Sequence, residues 1–247
     1  MQILIFGGTT EGRNLSYVLA EKGAEITVCV ATAYGTEEQG ELENITVLEG
    51  RKDIFQMQEL LRKQDICIDA THPYAVEVTK NIKAACEGAG IPYLRLLREE
   101  SDAVAGAVYV FSALQAAEFL KDTEGNILLT TGTKELPAFA SLERERLYPR
   151  ILPMAENLTV CETEQIPRRN IIAMQGPFGQ ELNEALMGQF NINYMVTKDG
   201  GKVGGFSEKI EAAKNKGVQV VIIRRPEEDG KSYEEIIEVC EEMMRCR

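Results

Sequence analysis

The chain has 247 residues, 44% hydrophobic and 27% charged, enough for one large domain or two small ones and too apolar for a disordered chain. Its 27 Lys and Arg stand against 39 Asp and Glu, a formal charge of −12 that excludes holding nucleic acid through a general positive field, though not a local basic pocket. With no apolar stretch of ~18 residues, no charged leader and six scattered cysteines lacking a C-x-x-C pair, the chain reads as a cytoplasmic protein with reduced thiols, no membrane segment and no metal site.

The first element, Met1 to Phe6, reads as a short buried strand, and Glu11 to Lys22 carries Leu15, Val18 and Leu19 at helical spacing. Between them lies Gly7-Gly8-Thr9-Thr10-Glu11-Gly12-Arg13, where strand becomes helix. Free amides and the positive helix end would converge there on a phosphate. Gly7 and Gly12 match the outer glycines of G-x-G-x-x-G, and Thr9 replaces the middle one; the alternative is a merely tight structural turn.

Apolar runs then alternate with helical patterns: Ile26 to Val30, Thr46 to Leu48, Ile66 to Ala70 and Tyr93 to Leu96. A second series follows at Val108 to Phe111, Ile127 to Thr131, Leu147 to Leu152, Ile171 to Met174, Tyr194 to Thr197 and Val218 to Ile223. This is the rhythm of parallel sheets. The polar stretch Arg98 to Gly106 divides the series, predicting an α/β protein of two Rossmann-like lobes, residues 1–100 binding a dinucleotide and residues 101–247 binding substrate, with a cleft between them. The last helix, Tyr233 to Met244, shows Ile236, Ile237 and Cys240 on one face. No apolar stripe is left over, so a monomer is the default.

Active groups in open parallel sheets gather at the carboxyl ends of strands. After the fourth strand comes Asp69-Ala70-Thr71-His72-Pro73-Tyr74 with the one histidine, a candidate acid near neutral pH; the alternative is a helix entry capped by Thr71. In the second half, Thr130-Thr131-Gly132-Thr133-Lys134 is another small-residue turn suited to an anion, with Lys134 either adding charge or simply solvated. Arg150 ends a strand, and Gln175-Gly176-Pro177-Phe178-Gly179 forces a sharp turn where Phe178 either stacks on a flat ligand or anchors the turn. Lys198 and Lys209 flank Gly200, Gly201, Gly204 and Gly205, a spacing that suits close approach of backbone to ligand, the alternative being a simple flexible loop. With Arg13, Lys134 and Arg150 they would make a positive cleft for a substrate bearing several carboxylates.

No nucleophile elbow, zinc pair or P-loop is present, so hydrolysis by triad or metal is not expected. Hydride transfer needs few protein groups, because the cofactor supplies the reactive bond.

These segments, with Arg225-Pro226 after the last strand, resemble the precorrin-6A reductases and cobalt-precorrin-6A reductases of cobalamin synthesis over nearly the whole chain. The resemblance implies a nicotinamide cofactor, NADPH or NADH, and hydride reduction of one double bond in a corrin precursor rich in carboxylates. It implies a cofactor side of Gly7, Gly8, Thr9, Thr10, Glu11, Gly12, Arg13 and Thr71 with His72, and a macrocycle side of Thr133, Lys134, Arg150, Gln175, Phe178, Lys198, Gly204, Gly205 and Lys209. Gly200 departs from the serine of the family's T-K-x-S-G pattern. No general acid is implied, and solvent can supply the proton. The strand Ile26 to Val30 ends without the acidic residue that grips a ribose 2′-hydroxyl, which leans toward NADPH; no arginine follows at once for a 2′-phosphate, Arg51 at the end of the third strand is placed to swing across, and the resemblance ties the cobalt route to NADH, so both cofactors stay open. The rival readings are a dinucleotide-sensing module without turnover and a reductase of another polyanionic small molecule.

Overall fold

The computed structural model describes residues 1–40, 42–98, 101–200 and 205–246. The chain forms two compact units, Met1–Glu99 with Glu227–Arg247, and Glu100–Pro226.

The first unit runs β1 (Gln2–Phe6), α1 (Thr10–Glu21), β2 (Glu25–Val30), α2 (Ala33–Gln39), β3 (Ile45–Glu49), α3 (Ile54–Leu61), β4 (Ile66–Asp69), α4 (Val76–Ala89) and β5 (Tyr93–Arg95). Its five strands are parallel in the order β3-β2-β1-β4-β5. Strand periodicity of two sorts the core: Ile3 and Ile5 point with Ile26, Val28, Ile66 and Ile68 toward Leu15 and Leu19 of α1. Leu4, Phe6, Cys29 and Cys67 point the other way, toward Met57, Leu61, Ile82 and Cys86 of α3 and α4. Because both faces are covered, these strands read as unbroken apolar runs. The order reverses between β1 and β4, so the segments leaving their carboxyl ends flank the switch point of this sheet.

The second unit runs β6 (Val108–Val110), α5 (Ala113–Lys121), β7 (Asn126–Leu129), β8 (Leu147–Ile151), α6 (Ala155–Thr163), β9 (Ile172–Ala173), α7 (Gln180–Gln189), β10 (Ile192–Lys198), α8 (Phe206–Lys216) and β11 (Gln219–Ile223). Its strands are again parallel, in the order β6-β11-β10-β7-β8-β9. Met195, Val220 and Ile222 pack with Met187, Phe206 and Ala212 on one face. The switch point lies between β7 and β10.

The boundary expected at 101–247 needs correction at its far end. After Pro226 the chain returns to the first unit: Lys231 bridges to Leu96, and α9 (Tyr233–Arg245) buries Ile236 and Cys240 beside Leu15 and Leu19. An amphipathic helix announces that it covers a core, not which core. Among the described residues, no helix is long and apolar enough to cross a membrane.

Candidate functional site

In the first unit, the amide of Gly7 donates to the Cys29 carbonyl at 2.9 Å, anchoring the turn after β1 to β2. Gly8 adopts φ +108°, a conformation that favours glycine, and a Cβ there would meet nothing within 4 Å, so the backbone surface is open. Thr9 explains why the middle glycine is dispensable. It is the N-cap of α1: its hydroxyl accepts from the Gly12 amide at 3.0 Å and donates to the Ala70 carbonyl at 2.9 Å. Gly12 lets α1 approach β4, since a Cβ would stand 2.8 Å from Ala70 Cβ. With the Gly12 amide taken by Thr9, helical geometry leaves the amides of Thr10 and Glu11 for an outside acceptor. Open space, two amides and a helix N-terminus fit a dinucleotide phosphate.

Two charged residues of this turn are engaged with protein. Glu11 pairs with Arg98 at 2.9 Å, both largely buried. Arg13 donates to the Glu38 carbonyl at 2.8 Å and lies 3.4 Å from the Glu38 carboxylate, so it points toward the end of α2 and away from the helix start. Arg98 was not foreseen; it lies in the polar stretch that reads only as a boundary.

The Asp69 to Tyr74 segment is not a capped helix entry. α4 starts at Val76 with no side-chain cap, and Thr71 instead gives its hydroxyl and amide to Asp69 Oδ1 at 2.6 and 3.0 Å. Below it lies a buried polar network that sequence reasoning missed. Arg95 Nη1 donates to Asp69 Oδ1 at 2.8 Å and to the Thr71 carbonyl at 3.0 Å, while Nη2 donates to Glu228 Oε2 at 2.9 Å. Tyr93 adds its hydroxyl to Asp69 Oδ2 at 3.1 Å, and burial together with that carboxylate pushes the phenol's pKa upward. The network fixes the segment carrying Thr71 and His72 beside the first turn. His72 is exposed, accepts the Tyr74 amide at Nδ1 (3.4 Å) and lies against the Tyr74 ring at 5.4 Å between centroids.

In the second unit, Arg150, Phe178, Lys209 and the residues that hold them form one cluster at the carboxyl ends of β8, β9 and β10. Arg150 is buried, its Nη1 donates to Asn183 Oδ1 at 2.8 Å, and its guanidinium lies 4.0 Å from the Phe178 ring centroid. Asn183 is held in turn by its amide bonds to the carbonyls of Phe178 (3.2 Å) and Gly179 (2.8 Å). Phe178 is thus half-buried and partnered by the arginine, between the two alternatives the sequence left open. Lys209, one turn into α8, donates from Nζ to Thr197 Oγ1 at 3.0 Å. Gly205, left-handed at φ +74°, caps the start of α8, where a Cβ would stand 3.7 Å from the Phe178 carbonyl.

Among the described residues neither Arg150 nor Lys209 has an ion-pair partner. Burial pushes the Lys209 amine down to about 8, with Arg150 adding to the shift and Glu208 opposing it; burial alone lowers Arg150. A sign follows for stability. The unfolded chain holds the Lys209 proton up to its ordinary value of 10.5, so between pH 8 and 10.5 it binds more protons than the folded chain and Lys209's destabilisation fades as pH rises. Lys209→Met should therefore be more stable than the parent at pH 7, by on the order of 2 kcal/mol, with the gap closing near pH 10. Urea unfolding at both pH values checks this.

The remaining expected residues are spread around this cluster. Lys198 pairs with Glu135 at 2.8 Å, and Thr133 gives its hydroxyl to Asn157 Oδ1 at 2.8 Å. Lys134 and Gln175 are exposed. The turn at Gly132 opens a 3₁₀ run, Thr133–Phe139, with no side-chain cap and Pro137 inside, a weaker anion site than the α-helix start the sequence suggested. Gly204 lies outside the described residues.

The family described as precorrin-6x reductase CbiJ/CobK matches residues 2–242. A cobalt-precorrin-6A reductase of Priestia megaterium is 35% identical over 245 residues, covering 96% of each chain. A precorrin-6A reductase of Rhodococcus erythropolis is 32% identical over 232 residues, covering 91% of this chain and 89% of that one. A solved CobK precorrin-6A reductase shares the fold, with a TM-score of 0.77 at 22% identity over 98% of this chain and 96% of that one. The glycine turn at the first switch point, the Arg150 and Lys209 cluster of the second unit and a match over nearly the full length converge: the chain belongs to the precorrin-6x reductase CbiJ/CobK family.

Proposed function

We propose that the chain reduces one ring double bond of precorrin-6A or cobalt-precorrin-6A with NAD(P)H, a step of cobalamin biosynthesis carried out in the cytoplasm by a monomer. The observation that carries this reading is a phosphate-fitting turn at Gly8 to Gly12 in a chain whose second unit holds a buried arginine and a half-buried lysine that no acid among the described residues pairs. The names of its relatives in Priestia megaterium and Rhodococcus erythropolis support the substrate class. The nicotinamide, when bound, supplies the hydride.

The chain's own residues bind, orient and manage the proton. The amides of Thr10 and Glu11 take a cofactor phosphate, with Gly7, Gly8 and Gly12 keeping the backbone close and Thr71 held beside them by Asp69. Ala31 and Thr32 follow β2 where a ribose-gripping carboxylate would stand, which supports NADPH over NADH. Thr133, Lys134, Gln175, Phe178, Lys198 and Gly205 face the macrocycle, and Arg150 and Lys209 answer its negative charge. His72, exposed after β4, donates the proton to the carbon next to the one that receives hydride, unless solvent does.

Absorbance at the nicotinamide band tests the reading, with NADPH and NADH offered separately alongside each ring. Consumption with the ring and none without it is the expected result, NADPH being used faster. Tight nucleotide binding with no consumption on either ring would leave a sensing module in its place.

A further inference from the structure

Arg150 and Lys209 present a physical problem that the fold does not solve. Burying an ammonium or guanidinium without a counter-charge is costly, and such groups are ordinarily paired. Among the described residues each makes one hydrogen bond, Arg150 to Asn183 and Lys209 to Thr197, both to neutral oxygens, each also lies against an aromatic ring, Phe178 and Phe206, and the two like charges repel each other. Among the described residues, the charged groups that bear on Lys209 are Arg150 from β8 and Glu208 from its own helix, and Glu208 does not reach it as an ion pair. The guanidinium is nevertheless fixed in place: Phe178 covers it at 4.0 Å, and Asn183 holds it from α7, itself locked to two carbonyls of the 178–179 turn. A fixed, buried guanidinium with a half-buried ammonium near enough to repel it is what a single anion would complete.

We propose that Arg150 and Lys209 form a two-cation clamp for one carboxylate of the substrate, and that Asn183 is the positioning residue that aims Arg150 into it. The assignment rests on the reductase reading and narrows it: of the many carboxylates on the ring, one is bound in a dry site between two charges, and the others are met by exposed groups such as Lys134. Binding of that carboxylate restores the ammonium of Lys209, so the protein should take up a proton at Lys209 when the substrate binds above pH 8.

The test is an absorbance titration of cobalt-precorrin-6A against the intact protein and its Lys209→Met, Arg150→Met and Asn183→Leu variants, with NADPH titrated in parallel. Calorimetry at pH 8.5 in buffers of differing ionisation heat counts protons. The expected result is ring affinity weakened about 10- to 100-fold in the Lys209 and Arg150 variants, NADPH affinity unchanged, and proton uptake in the parent that vanishes in Lys209→Met. Asn183→Leu should raise KM for the ring more than it lowers kcat, and Asn183→Gln, which keeps a neutral acceptor for Arg150, should restore part of the affinity. Unchanged ring affinity in Lys209→Met, or proton uptake that survives it, would overturn the clamp even with ring-dependent NADPH consumption intact. A parent that neither binds nor reduces the ring would remove the reductase reading and the clamp together.

Discussion

Replacing Arg95 with leucine should cost the protein roughly 3–5 kcal/mol of stability, the range found when one partner of a buried ion pair is removed. The Arg95 side chain is 1% exposed and Asp69 is 0% exposed, so leucine would strand a carboxylate that no water reaches. Tyr93 and Thr71 would still donate to Asp69, but two neutral hydroxyls and an amide do not offset a lost guanidinium. Glu228 would lose its partner too, and with it one tie between β5 and the segment that returns from the second unit. For a chain of this size that corresponds to a melting temperature lower by about 10 °C. Adding Asp69→Asn should recover part of the loss, because the stranded charge is gone. Thermal unfolding of the single and double variants checks both statements; a single variant within about 1 kcal/mol of the parent would mean the network does not support the fold.

Gly12→Val should damage nucleotide binding more than any other single change in the first turn. Its Cβ would stand 2.8 Å from Ala70 Cβ and 3.2 Å from Thr9 Oγ1, and the valine methyls would add to the clash. Neither neighbour is the free end of a flexible side chain, so α1 must move away from β4, which breaks the Thr9 bonds to Gly12 and Ala70 and re-aims the amides of Thr10 and Glu11. Overpacking of this kind costs about 1–3 kcal/mol, and spent on the geometry of the phosphate site it should weaken NADPH binding by about tenfold to 100-fold. Gly8→Ala makes the useful contrast. It meets no atom within 4 Å and suffers only from its φ of +108°, so a smaller loss is expected. Fluorescence titration of NADPH with both variants ranks them; equal losses would place the phosphate elsewhere.

Much of this was legible in the chain. Runs such as Ile3 to Phe6 and Ile66 to Ile68 are apolar without alternation because both faces of a parallel strand are buried, and the glycine turn stands where strand gives way to helix. Thr9 was readable as a departure from the glycine pattern but not as the cap that compensates for it, since its second partner, Ala70, is 61 residues away. Arg95 left no signal: one arginine at a strand end looks like a solvated tip, and its acidic partner Glu228 lies 133 residues on. The same distance problem hid the destination of α9. In the second unit Arg150 and Lys209 stood out as cations, yet what makes them chemically informative is that no acid among the described residues pairs with them, and that depends on which side chains the fold brings near. Asn183 was missed for the converse reason, a polar residue inside a helix that sequence alone reads as solvent-facing.

The most direct measurement follows the hydrogen itself. A single turnover with NADPH carrying deuterium at both C4 positions, in ordinary water, should give a reduced corrin precursor one mass unit heavier than the product made with unlabelled NADPH, the second hydrogen coming unlabelled from a proton. A product with no deuterium would mean that hydride does not pass from nicotinamide to ring on this protein, and would contradict the function assigned to its two sites.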